Sequence, residues 1–124
     1  MRKPKLFAAA SVLLFLASYT VCWAHAIVVD SNPREGAVLK RGPVRIQLRF
    51  NVKIEKALTR VTLIKGDKQA IALPRADFIQ GAPDRFEVPL PRLEPGNYIL
   101  RYSVLAADGH ATQGVLRFSI ENGP

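Results

Sequence analysis

The chain has 124 residues, 18 Lys and Arg against 10 Asp and Glu, a formal net charge of +8, and one Cys, one Met, one Trp and two His. That length holds one domain once a leader is subtracted, and a single Cys excludes a framework of internal disulfides. The basic balance raises nucleic acid or anionic lipid as partners, but the leader described next exports the chain, and Arg45 and Arg49 alternate with apolar residues as on a solvated sheet face; the charge is read as solubility, with no nucleic-acid partner.

Arg2, Lys3 and Lys5 form a basic start, Leu6 to Ser18 is apolar and uncharged, and Cys22-Trp23-Ala24 puts small residues at the two positions a signal peptidase reads. The run is short of the roughly 20 apolar residues of a membrane span. Cleavage is expected between Ala24 and His25, making residues 1–24 a signal peptide in helical form and residues 25–124 the working domain. The alternatives are a retained anchor and a lipoprotein modified at Cys22, the latter disfavoured by the bulky Tyr19-Thr20-Val21. Removing three basic and no acidic residues leaves 15 against 10, a net +5, and takes away the only Cys, Met and Trp. Thiolate and thioether metal sites and a Cys nucleophile are thereby excluded.

After the cut, His25 to Asp30 reads as a short apolar strand, Ser31-Asn32-Pro33 as a turn, and Glu35-Gly36-Ala37 as the entry to a second extended piece. Beyond the breaker Gly42-Pro43, Val44, Ile46, Leu48 and Phe50 alternate with Arg45, Gln47 and Arg49, the pattern of a half-buried strand. Thr59 to Ile64 repeats it, and Gly66-Asp67 turns the chain into Gln69 to Leu73. Residues 74–84 read as loop. Phe86 and Val88 mark a strand closed by Pro89 and Pro91; Glu94-Pro95-Gly96-Asn97 is a turn. Tyr98, Leu100, Tyr102 and Val104 alternate with Ile99, Arg101 and Ser103, Asp108-Gly109-His110 interrupts, and Val115 to Ile120 ends the series. About seven strands with regular turns predict an all-β, immunoglobulin-like antiparallel sandwich, with no further domain expected after Pro124.

The chemistry concentrates in the two histidines. An N-terminal His25 would offer its amine and imidazole to one metal, His110 a second imidazole, and Asp108 a carboxylate. Residues two apart on an extended backbone point the same way, so Asp108 and His110 are expected to share a face across Gly109. Two imidazoles, an amine and a carboxylate suit Cu(II), with Zn(II) held less tightly by the same ligands. Taken alone, Asp-Gly is equally an ordinary turn pair.

These residues resemble the CopC family of periplasmic copper-resistance proteins. The resemblance runs through His25-Ala26, Ser31-Asn32-Pro33 with Gly36-Ala37, the strand Val44 to Phe50, Leu93 to Tyr98, Ala106 to His110 and Gly114 to Ile120. It implies a Greek-key β-sandwich in the periplasm that binds Cu(II) through His25, Asp108 and His110, with an inner-membrane copper transporter as partner. The chain departs from the family pattern at Val52, where many members carry an acid, and at Tyr102, where a Trp often stands; without Met it has no Cu(I) site of the thioether kind.

The expected function is a monomeric periplasmic Cu(II) carrier or buffer in copper homeostasis, with no catalysis. An alternative is a histidine-brace copper oxygenase, against which Asp108 counts by filling a position that such enzymes keep open for oxygen. A metal-free immunoglobulin-like interaction module is the other.

Overall fold

A computed structural model describes residues 25–66, 69–73 and 81–123. The expected signal helix lies outside them, as do Asp67 of the expected hairpin turn and residues 74–80 of the expected loop.

Among the described residues the chain forms eight strands in two sheets: β1 (Val28–Asn32), β2 (Ala37–Leu39), β3 (Val44–Phe50), β4 (Arg60–Lys65), β5 (Gln69–Ile71), β6 (Arg85–Leu90), β7 (Gly96–Leu105) and β8 (Ala111–Ile120). A 3-10 turn spans Lys56–Leu58. One sheet has the order β1-β3-β6, the other β2-β8-β7-β4-β5. The all-β sandwich expected from the alternation is therefore what the chain adopts, and its two-residue period explains the layering. On β3, Ile46, Leu48 and Phe50 are fully buried while Arg45 faces water. Facing them, Leu63, Tyr98, Leu100, Val104, Leu116 and Phe118 line the inner side of the larger sheet. Burying a side chain of this size contributes about 1.5–3 kcal/mol, so the core holds the two layers together.

Two aromatic arrangements lock the ends. Tyr98 stacks on Phe118 with centroids 5.5 Å apart, and its hydroxyl donates to the Glu94 carbonyl at 2.5 Å, tying the start of β7 to the preceding turn as a tyrosine corner does. Tyr102 packs edge-on to Phe50 at 5.9 Å and to Phe86 at 6.5 Å. Both tyrosines thus point inward, as their spacing predicts.

Three expectations need correction. The sandwich is not wholly antiparallel, because β2 runs parallel to β8. Pro89 does not close β6 but lies within it, opposite Arg45. That is tolerated because β6 is an edge strand with only β3 beside it, so one side of its backbone has no ladder to lose. The first strand begins at Val28 rather than His25, and its apolar residues are not all core: Ile27 and Val29 are exposed while Ala26 is buried. A register shift between Val28 and Asp30 turns the side chains away from simple alternation.

Candidate metal centre

The β7–β8 hairpin supplies one half of the site. Its pairing runs from Gly96 opposite Ile120 to Leu105 opposite Ala111. Ala106 and His110 then close the loop, the Ala106 N–H donating to the His110 carbonyl at 2.8 Å. The Gly109 N–H donates to the Ala106 carbonyl at 2.9 Å, and Gly109 has φ of 92°. This three-residue connection needs a left-handed residue at its end, which is the task the sequence assigns to Gly109. Asp108 and His110 are neighbours through the turn and not, as expected, through an extended backbone: Asp108 Oδ1 accepts the His110 N–H at 3.0 Å and lies 3.3 Å from His110 Nδ1. That backbone hydrogen bond is the largest influence holding the Asp108 carboxyl below the ordinary carboxylate range, with the two imidazoles adding to it. Asp108 is accordingly an anion at neutral pH.

The other half comes from the first described residues. Ala26 is sunk in the core with no exposed surface. Ile27 is clamped by Asn51: its N–H donates to Asn51 Oδ1 at 2.7 Å, and the Asn51 N–H donates back to the Ile27 carbonyl at 2.9 Å. With Ala26 and Ile27 fixed, His25 is delivered to the hairpin, and its ring stands edge-on to that of His110 with centroids 5.7 Å apart and planes at 77°.

The strip from Asn51 to Glu55 joins the halves. At one end Asn51 holds Ile27; at the other the Ala107 N–H donates to the Lys53 carbonyl at 3.1 Å and the Glu55 N–H to the Leu105 carbonyl at 2.8 Å, with Ile54 bridged to Ala106. Asn51 is the residue that sequence reasoning passed over. After a strand, an Asn reads as a turn former, and nothing local announces a partner near the other end of the site. Val52 packs partly buried against the core.

All three nominated residues are thus gathered at one end of the sandwich. Among the described residues, however, no three His, Cys, Asp or Glu side chains form a ready coordination cluster. The Asp108 carboxylate is turned onto its own loop, where it accepts the His110 N–H.

Residues 28–121 match the family model described as the CopC domain. The chain belongs to the CopC family. The matched stretch contains Asp108 and His110 and begins just after His25. Among curated relatives, this CopC chain is 27% identical over 111 residues to the copper transport protein CutJ of Bacillus subtilis, covering 88% of this chain and 20% of CutJ; it spans about a fifth of that relative's length. Among solved structures it resembles CopC from Methylosinus trichosporium OB3b, at 23% identity and a TM-score of 0.68 over 81% of this chain and 100% of that one. It also resembles PcoC, a methionine-rich copper resistance protein of Escherichia coli, at 19% identity and a TM-score of 0.66 over 79% and 100%. These likenesses agree with the two-sheet fold.

Proposed function

We propose that the exported chain, cut between Ala24 and His25, is a periplasmic Cu(II) carrier or buffer whose ligands are the amine and imidazole of His25, the imidazole of His110 and the carboxylate of Asp108. The observation that carries this reading is the approach of the His25 and His110 rings, far apart in the sequence, to 5.7 Å. Imidazoles that share one ion through nitrogens at about 2.0 Å have centroids about 4–6 Å apart. The donors suit the reading as well. Three nitrogens and a carboxylate oxygen, with no sulfur in residues 25–124, match the harder Cu(II) rather than Cu(I). Asp108, already anionic, needs a side-chain rotation but no proton loss to join. Copper is cargo here, and no turnover is involved. CutJ, in which the similar stretch is one part of a copper transport protein, supports a membrane copper transporter as the partner.

Two versions of the chain test the site, one beginning at His25 and one with a single added residue in front. Cu(II) affinity is read by competition with a chelator or by Tyr quenching. The extension turns the amine into an amide and is expected to weaken binding sharply, and His110→Ala to do so as well. Equal affinity in all three overturns the assignment. Mass spectrometry of the exported protein checks the cut itself.

A further inference from the structure

The outer faces of the two sheets differ in charge balance. On the smaller sheet, Arg45 is paired with Glu87 at 3.0 Å and Arg85 with Asp84 at 2.9 Å. The outward positions of the larger sheet carry Arg60, Arg101 and Arg117 and no acid among the described residues. Arg117 is satisfied by Glu35, which reaches it from the β1–β2 connection at 3.0 Å. Arg60 and Arg101 are in no salt bridge among the described residues.

These two arginines are close. Arg60 lies opposite Ser103, and Thr62 opposite Arg101, so the guanidinium-bearing positions are diagonal neighbours, about 7–8 Å apart at the backbone. Ser103 pairs onward with Gln113 and Arg101 with Val115. The two rows, Arg60-Ser103-Gln113 and Thr62-Arg101-Val115, line a shallow depression of about 450 Å3 across three strands. Val115, 38% exposed, lends it an apolar contact. Two like charges on diagonal positions repel each other and draw in negative charge. Guanidinium groups pair with carboxylates bidentately.

We propose that the outer face of the larger sheet, centred on Arg60 and Arg101, docks an acidic segment of a partner protein. An isolated carboxylate on an exposed arginine gains little in water, and the depression is open, so a small anion is poorly held. A segment laid across the strands presents two carboxylates at once, sets backbone or polar groups against Thr62, Ser103 and Gln113, and covers Val115. The Ser103–Gln113 row is three pairs from the Ala106–His110 closure, about 10 Å along the strands. A docked partner would therefore lie beside the hairpin loop. The inference rests on the sheet's own charge pattern and stands whether or not the hairpin binds copper.

The test is a titration of the 15N-labelled chain from His25, whose core and both sheets lie within the described residues, without metal. The probes are a short peptide alternating glutamate and serine, its glutamine–serine counterpart, inorganic phosphate, and vesicles of phosphatidylcholine with phosphatidylserine. The expected result is saturable shifts of the amides of Arg60 to Thr62, Arg101 to Ser103 and Gln113 to Val115 with the glutamate peptide alone. The affinity should drop about tenfold in Arg60→Gln/Arg101→Gln, the loss of two exposed ion pairs, and be retained in Arg45→Gln on the opposite sheet. Both variants are surface changes whose spectra report their folding directly. Equal binding by the double variant, shifts spread over every basic surface, or a response to phosphate or vesicles in place of the peptide overturns the proposal.

Discussion

Gly114 sits in the interior of β8, opposite Tyr102 on β7, and its backbone is not left-handed. On propensity alone, Gly114→Ala should stabilise a strand by about 0.5–1 kcal/mol. The packing reverses that sign. A Cβ at position 114 would stand 2.2 Å from the Tyr102 hydroxyl and 2.4 Å from Cζ, so the phenol has to leave the shelf that the glycine provides. It cannot do so freely, because the same ring packs on Phe50 and Phe86. Overpacking of this kind costs about 1–3 kcal/mol, and aromatic contacts add about 0.5–1.5 kcal/mol where they are lost. Set against the propensity gain, the net is a destabilisation of about 1–2 kcal/mol, or roughly 4–10 °C in Tm for a domain of this size. The assay is thermal and urea unfolding of four proteins: the parent, Gly114→Ala, Tyr102→Leu, and the double variant. In the Tyr102→Leu background the shelf is empty, and Gly114→Ala should be neutral or stabilising, giving a favourable coupling in the cycle. A Tm that rises in the single Gly114→Ala variant refutes the reasoning.

Asn51→Ala removes the acceptor of the Ile27 N–H; it should cost about 1 kcal/mol of stability and, by loosening the segment that carries His25, about tenfold in Cu(II) affinity. Unchanged stability and unchanged affinity together would contradict the clamp. Glu35 accepts the Arg117 N–H at 2.8 Å and its guanidinium at 3.0 Å, and that backbone bond above all holds its carboxyl below the ordinary range against the opposing effect of burial. A lowered folded value means stabilisation that is present above the ordinary glutamate range and disappears as the pH falls through the folded value. The Tm gap between the parent and Glu35→Gln should therefore be small, since the pair is exposed, and should narrow from neutral pH to about pH 3; a gap that is constant or widens in acid counts against it. The copper-loaded chain with ascorbate and oxygen should release peroxide no faster than free copper does, and sustained turnover above that level would replace the carrier reading with the oxygenase one.

The strands that a reader of the sequence finds most easily are those whose alternation is long and whose one face is buried. On β3 and β7 the alternation alone identifies the inner residues, and the Asp108-Gly109-His110 turn announces itself through a Gly that needs a positive φ. What escapes is set by partners distant in the chain. A three-residue strand such as β2 has too few side chains to show a period, and its parallel pairing with β8 is decided by where the β1–β2 connection can reach. Ile27 and Val29 look like core because they are apolar, yet the alternation there turns Ala26 and Val28 inward and leaves these two exposed. The proposed metal site divides the same way: its three side chains are legible as residue types, whereas the Asn51 clamp that brings His25 to the hairpin is a long-range hydrogen bond with no local signature. The charge contrast between the two outer faces likewise emerges only when strand order places Arg60 beside Arg101.

Under the proposed cut before His25, the burial of Ala26 would set an order on biosynthesis. A peptidase works on extended, accessible chain, and beyond the exposed His25 comes Ala26, which has no exposed surface, and then Ile27, whose N–H and carbonyl are both taken by Asn51. The proposed cut before His25 would therefore belong to the chain before it folds; once the sandwich has closed, the segment from Ala26 onward would be shielded from trimming. Processing first and folding second would then fix which residue comes first for the lifetime of the protein.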